Sequence, residues 1–368
     1  MLLNVENVIP YLLEQELLDA AAVVDGDVRV VSASRRNRNF RVMSQGGGSL
    51  LLKQAESAGT QATLSVEGRF YRACWEDAAL ASMRPILPRF VGERTESKLL
   101  VLELLKGWVQ VHQCVEYFGA RSFMASLGRA LGSALGRLHA TFREPARRPS
   151  PLSSEPPWIL FAHRPGPDIF AELSAANMKT LRLLQRAELA PRFDELRGLW
   201  RAETVVHGDI KSDNILIEYP WSEGGPLALK IVDWELAQVG DPAWDVGAVF
   251  KDLLALWVGS MRVGAGLTGA HMAEQAGLPL ESFQVAWRNL WRTYGEVTES
   301  PDSEASAVLE RAVRYSAAWL VQSAYESAAR ADTLGNHAVM LLQLASNILA
   351  NPAEATTALF GLPSRGGA

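Results

Sequence analysis

Cysteine is nearly missing from this chain of 368 residues, which has only Cys74 and Cys114. Two thiols build no disulfide framework, and they lack the Cys-x-x-Cys spacing of a metal or redox site, so both are expected as buried thiols in a reducing compartment. Basic runs are also missing. With 36 Lys and Arg against 41 Asp and Glu, the net charge of −5 argues against a nucleic-acid partner but leaves room for a cationic substrate. No apolar run is long and clean enough to span a bilayer, since VFKDLLALWVGSMRV carries Lys251, Asp252 and Arg262. The opening MLLNVENVIPYLLEQELLDAAAV has no basic leader. It reads as an amphipathic helix starting near Pro10, with Leu13, Leu17, Ala20 and Ala21 on one face, rather than as an export signal. No fixed-period repeat is present. These absences predict a cytoplasmic protein with no membrane partner.

What is present changes character once along the chain. With 48% hydrophobic residues and this length, the chain can build two lobes. From about 21 to 105 short β-rich segments dominate: AAVVDGDVRVVSA, NFRVMS, SLLLKQ, RFVGE and LLVLELL, with one predicted helix through GRFYRACWEDAALASM. From about 120 onward helical spacing takes over, as in the stripe Leu127, Leu131, Leu135, Leu138 and Phe142. The proline-rich REPARRPSPLSSEPP (143–157) is a surface loop within the second lobe. The reading is an α+β chain with a small β-rich lobe over 1–105 and a larger, mainly helical lobe over 106–368.

In VVHGDIKSDNIL (205–216) a histidine, ionisable residues and an asparagine stand between two apolar runs. Ile215, Leu216 and Ile217 predict one strand, and LALKIVDW a second, after the turn-rich YPWSEGGP. Asp209 and Asn214 on the loop, and Asp233 at the end of the second strand, can therefore converge at one end of a hairpin. Two carboxylates and an amide oxygen suit a hard cation such as Mg²⁺ shared with phosphates. A carboxylate left free of the metal can take the proton of an attacking hydroxyl, which is phosphoryl-transfer chemistry.

HGDIKSDN followed by VDWE resembles the catalytic and metal-binding motifs of the aminoglycoside phosphotransferase and choline kinase group, relatives of the protein kinases. GDPAWDVG (240–247) resembles the segment that follows the metal aspartate in that group, and the likeness runs from about 21 to 260. It implies a bilobal protein-kinase-like fold, an alcohol-phosphorylating kinase, and ATP or GTP with Mg²⁺ as cofactors. Carried over residue by residue, Asp209 would be the general base or hydroxyl-orienting group, and Asn214 and Asp233 the metal ligands. His207 would pack the loop, Asp245 would brace it, and Lys211 resembles the lysine that protein kinases set against the transferring phosphate.

In the small lobe, Lys53 of SLLLKQ occupies the place of the phosphate-holding lysine, with Glu67 as its first-choice helix partner and Glu76 as the rival. LVLELL (100–105) resembles the hinge, where backbone near Glu103 to Leu105 would meet the adenine. Asn37, Phe40 and Val42 resemble the asparagine-aromatic-valine pattern of the nucleotide loop. Unlike protein kinases, this chain has no glycine from 32 to 41. Backbone amides there approach phosphates less freely, so Arg35, Arg36 or Arg38 would contact phosphate, face a partner, or form a solvated turn. QGGGS (45–49) lacks the lysine and helix of a phosphate loop and reads as a hairpin turn.

Three function classes follow. First is a kinase of Ser or Thr hydroxyls in a ribosomally synthesised precursor peptide, working with a separate lyase in dehydration. Its motives are the Lys211 spacing, the arginine-bearing loop, and a weak likeness of RYSAAWLVQSAYESAARA to kinases of lanthipeptide-type pathways. The alternative is a small-molecule kinase, for an aminoglycoside-like antibiotic or an amino alcohol, which the acidic GEVTESPDSEASAVLE (Glu296, Glu299, Asp302, Glu304) could attract. Those acids equally suit the start of a helix near Ser303. The third is a catalytically silent binding module, against which Lys53, Asp209, Asn214 and Asp233 together weigh.

Overall fold

The computed structural model describes residues 1–33, 37–45, 48–118, 121–167, 173–262 and 269–363. At the N-terminus, helix α1 (Val8–Glu14) ends where Glu16 takes a positive φ of 54°, and α2 (Ala20–Val24) starts afresh under an Asp19 cap. That break corrects the single amphipathic helix expected from the sequence: Leu13 and Leu17 are only partly buried, and Ala20 is exposed. The apolar face consists instead of Leu3, Val8, Tyr11 and Leu12.

That face covers one side of a five-stranded antiparallel sheet, order β1-β2-β3-β5-β4, formed by β1 (Val28–Ser32), β2 (Arg38–Ser44), β3 (Leu50–Gln54), β4 (Phe90–Arg94) and β5 (Leu99–Glu103). Phe40, Val42, Leu50, Leu52, Leu99 and Val101 meet it, each large side chain stabilising the lobe by ~1.5–3 kcal/mol. The buried Gln54 pins the terminus, accepting the Leu3 N–H (2.8 Å) and donating to Met1 O (2.9 Å).

Helix α3 (Ala58–Glu76) begins well before the GRFYRACWE segment, because Ser57 and Thr60 form a capping box. It also ends sooner than expected. Asp77 is extended and caps a separate 3₁₀ turn over Ala78–Ile86.

The chain leaves the small lobe at Leu104, whose N–H donates to Ser49 O (2.8 Å), and joins the large lobe at Gly107, whose carbonyl accepts from Tyr219 N–H (2.8 Å). Next come β6 (Trp108–Gln110), α4 (Val111–Phe118), α5 (Arg121–Phe142), α6 (Ala175–Leu184), α7 (Ala190–Gly198) and β7 (Thr204–Val206). The hairpin β8 (Ile215–Glu218) and β9 (Leu229–Ile231) pairs with β6, and β10 (Gln238–Gly240) pairs with β7. Helices α8 (Pro242–Gly259), α9 (Gly269–Glu274), α10 (Leu280–Thr298), α11 (Asp302–Ser327) and α12 (Asn336–Ala350) complete the lobe. No helix among the described residues is long and apolar enough to cross a membrane.

The leucine stripe expected around 127–142 is buried along α5. Between those leucines run Gly128, Gly132 and Gly136, which let α5 lie directly against backbone of α10. A Cβ on Gly128 or Gly132 would come within 2.2 Å of Ala286 O or 2.3 Å of Leu290 O. Helix α11 lies on α8 through Trp244, Tyr315 and Trp319, with Trp319 Nε1–H donating to Trp244 O (3.0 Å). Arg311 of α11 holds the fully buried Asp241, the cap of α8, through two contacts of 2.8 and 3.1 Å. Cys74 and Cys114 are both buried free thiols.

Candidate active site

The strand β7 delivers the chain into the loop 207–214 between the lobes. Gly208 there has φ of +80°, and a Cβ on it would sit 2.5 Å from Leu236 O, so this position requires glycine. His207 is fully buried. Its Nδ1 accepts the Asp209 N–H (3.2 Å) and its Nε2–H donates to Val232 O (2.9 Å), so the ring is a neutral spacer between loop and hairpin. Asp245 of α8, also fully buried, accepts the N–H groups of His207 (2.7 Å) and Gly208 (3.1 Å). Behind it, His139 of α5 lies 3.4 Å away and is held by the Tyr294 hydroxyl (3.0 Å).

Asp209 follows this anchored pair. Its Oδ2 accepts from Lys211 Nζ (2.6 Å) and from Asn214 Nδ2 (3.2 Å), and Asn214 Nδ2 also donates to Asp209 O (2.9 Å). Burial works to lower the pKa of Lys211, but the charge and hydrogen bond of Asp209, with Glu326 and Asp213 nearby, together hold the ammonium above its ordinary range. Because the Asn214 amide nitrogen is spent on Asp209, the amide oxygen is turned outward as a potential ligand.

Across the cleft, Lys53 of β3 meets both oxygens of Glu67 (2.7 and 3.0 Å) and the Asp233 carboxylate. Burial alone would depress Lys53, yet Glu67 and Asp233 overcome it and raise its pKa well above the lysine norm. In Asp233, burial pulls upward and Lys53 prevails, keeping the carboxyl below the usual range. Asp233 takes the left-handed conformation (φ 64°, ψ 58°), which aims its side chain back toward the small lobe while Trp234 turns inward. Trp234 stacks on Phe70 of α3 with centroids 3.9 Å apart and planes at 11°. This contact ties the helix that carries Glu67 to the segment that carries Asp233. Glu76, the rival partner, is exposed at the end of α3.

Lys53 and Asp233 line a cleft of about 640 Å³ together with Val31, Leu51, Leu102, Trp108 and Leu216. That volume, with apolar walls and charged groups side by side, fits a nucleotide's base and phosphates. Glu103, Leu104 and Leu105 form its inner edge. The Glu103 side chain accepts the Arg89 N–H (3.0 Å), and the Glu103 N–H donates to Arg89 O (2.9 Å).

Asn37 departs from its expected place. It is buried just ahead of β2 and is not among the cleft-lining residues, whereas Asn39, in register with Lys53, is. The register of β2 on β3 makes this choice, and one sequence does not display it. Arg38 is an ion-pair partner of Glu56 and donates to Leu3 O (3.0 Å), so it is a structural tie rather than a phosphate contact. Arg35 and Arg36, and Gly46 and Gly47 of QGGGS, lie outside the described residues. Sequence reasoning also missed Asp252, whose carboxylate accepts the Ser212 N–H (2.9 Å). Its signal was a second acid seven residues after Asp245 on one helix.

The acids of the 296–304 segment are engaged elsewhere: Glu304 pairs with Arg143 (3.0 Å) and Glu296 with Arg292 (3.8 Å), while Asp302 and Glu304 occupy the first turn of α11. Among the described residues no cluster of three or more His, Cys, Asp or Glu could hold a metal by itself. The pair Asn214 and Asp233 nevertheless has the donor chemistry of a Mg²⁺ that keeps waters and shares phosphate oxygens, so the residues fit that ion.

No curated protein sequence matches the chain. Among solved structures, choline kinase from Cryptosporidium parvum Iowa II is similar at 10% identity and TM-score 0.56, covering 96% of this chain and 97% of that one. Macrolide 2'-phosphotransferase from Brachybacterium faecium is 18% identical, with TM-score 0.48 and coverage of 94% and 98%. The amicoumacin kinase complex with AMP-PNP, Ca²⁺ and its antibiotic is 14% identical, with TM-score 0.46 and coverage of 92% and 95%. Residues 27–278 match the family described as phosphotransferase enzyme family, APH, which is most of the chain and includes Lys53, Glu67, Asp209, Lys211, Asn214, Asp233 and Asp245. The chain therefore belongs to the APH phosphotransferase family and is a kinase with an alcohol group as acceptor.

Proposed function

We propose that this protein transfers the terminal phosphoryl group of ATP or GTP, with Mg²⁺, to a hydroxyl of a small molecule. The observation that carries this reading is the pairing across one cleft of Asp209, set between Lys211 and Asn214, with the Lys53–Glu67–Asp233 cluster. Lys53 would grip the nucleotide phosphates, and the hinge backbone at Glu103 to Leu105 would hold the base. Asn214 and Asp233 would hold the metal ion, which supplies charge neutralisation at the phosphates. The acceptor oxygen attacks the γ-phosphorus, the bond to the bridging oxygen breaks, and nucleoside diphosphate leaves. Asp209 orients the hydroxyl and takes its proton. Lys211 balances charge on the phosphoryl group in flight.

The precursor-peptide reading has lost part of its support, since Arg38 is occupied by Glu56. The likeness to a choline kinase supports a compact acceptor instead. The test is incubation with Mg²⁺-ATP or Mg²⁺-GTP and panels of amino alcohols, aminoglycosides and macrolides beside Ser/Thr precursor peptides with and without a lyase, read by mass spectrometry. Phosphorylation of peptide alone would overturn the small-molecule reading, and no transfer to anything would overturn both.

A further inference from the structure

The loop that carries Asp209 is gripped from below by one helix at two points. Asp245 and Asp252 lie seven residues apart on α8, close to two full turns, so their side chains leave the same face. Asp245 takes the N–H groups of His207 and Gly208, just before Asp209, and Asp252 Oδ2 takes the N–H of Ser212, just after it (2.9 Å).

Ser212 is no neutral point of attachment. It follows Lys211, the residue bonded to the Asp209 carboxylate, and it opens the 3₁₀ turn Ser212–Asn214, closed by Asn214 N–H donating to Lys211 O (2.9 Å). The orientation of Lys211 and of the Asn214 amide toward Asp209 thus depends on where Ser212 is fixed.

Asp252 is itself well supported. The neighbouring Lys251 is 6% exposed, and its Nζ lies 3.9 Å from Asp252 Oδ1 and 5.3 Å from the centroid of the Trp319 ring. The buried Lys251 ammonium thus faces the partly buried Asp252 carboxylate and offsets its charge. Gly247, between the two aspartates, lets α8 sit against α11, where a Cβ would come within 2.7 Å of Ala312 O. The helix face that presents both acids is therefore rigidly backed.

We propose that Asp252 is a positioning residue for phosphoryl transfer, completing a two-point clamp from α8 that sets Lys211 and Asn214 around Asp209. This rests on the function proposed above. An aspartate at 252 with a lysine beside it is not needed to close the core, since an apolar pair would pack there without a buried charge.

The test compares Asp252→Ala with Asp252→Asn in the full-length protein. Asparagine keeps an oxygen that accepts the Ser212 N–H; alanine leaves that donor unpaired. Asp252→Ala is expected to lower kcat by about 10- to 100-fold, the scale of a small misplacement of a reacting group, with little change in the KM for nucleotide. Asp252→Asn should recover most of that loss. Hydrogen exchange read by mass spectrometry should show faster exchange over 207–214 in Asp252→Ala, with 50–103 unchanged. Full kcat and wild-type exchange in Asp252→Ala would overturn the clamp, as would equal losses in both variants together with lost nucleotide affinity. If the wild-type protein phosphorylates no acceptor in the panels, the kinase reading fails by itself, and the exchange comparison still decides whether Asp252 holds the loop.

Discussion

Replacing Gly132 with alanine and replacing Gly295 with alanine are the same chemical change in two helices that lie against each other, and the structure gives them opposite signs. Both sites are helical, so the added methyl favours the helix by roughly 0.5–1 kcal/mol. At Gly295 of α10 a Cβ meets nothing within 4 Å, and that gain stands. At Gly132 the carbon would lie 2.3 Å from Leu290 O, far inside ordinary contact at 3.4 Å. The obstacle is backbone, so no rotamer relieves it, and α5 must part from α10 by about 1 Å. A gap of that size forfeits about a quarter to a half of each dispersion contact along the seam, and overpacking of this kind costs about 1–3 kcal/mol. The upper end applies because Gly128 and Gly136 share the seam. The net expectation is a loss of about 2 kcal/mol for Gly132→Ala and a gain of about 0.5–1 kcal/mol for Gly295→Ala. Urea unfolding of both variants, followed by far-ultraviolet circular dichroism, reads the order directly. A Gly132→Ala protein as stable as Gly295→Ala would refute the close approach of the two helices. Because α5 also carries His139, which backs Asp245, Gly132→Ala should lose catalytic rate beyond its loss of stability.

Asp209→Asn should preserve folding and nucleotide binding yet lower turnover by roughly 10²- to 10⁴-fold, the range of a positioned acid or base; unchanged phosphoryl transfer would misplace the chemistry. Chelation with EDTA should weaken nucleotide binding in calorimetry, and Asp233→Ala should mimic that effect in the presence of Mg²⁺; affinity indifferent to both would remove Asn214 and Asp233 from metal binding. Arg311→Ala strips the counter-charge from the fully buried Asp241 and should destabilise the large lobe by about 3–5 kcal/mol. A wild-type unfolding midpoint would show that Asp241 tolerates burial unaided.

The reacting groups were legible in the sequence because the chain itself brings them together. His207 to Asn214 occupy eight consecutive positions, and the β8–β9 hairpin returns Asp233 beside them, so the local backbone constrains the geometry before any tertiary packing does. The large lobe's leucine stripe was legible for a similar reason, since α5 is long and strongly periodic. The N-terminal helix failed because the periodicity of 10–21 runs across a left-handed residue, Glu16, that no pattern of apolar positions announces.

What the sequence left open turned on the facing of elements that are distant in the chain. Glu67 and Glu76 both belong to α3, but nine residues are two and a half turns, so they point to opposite sides, and only the docking of α3 on the sheet and on Trp234 selects Glu67 for Lys53. Asn37, expected at the nucleotide, falls just ahead of β2 because pairing with β3 begins at Arg38, and Arg38 was taken by Glu56. Asp252 could be read as a charge inside an apolar helix, but its bond to Ser212 exists only because α8 passes beneath the loop. The sequence by itself determined which chemistry the chain carries, since that chemistry is local; tertiary structure decided which side chains support it, since a helix or strand shows its period but not its partner.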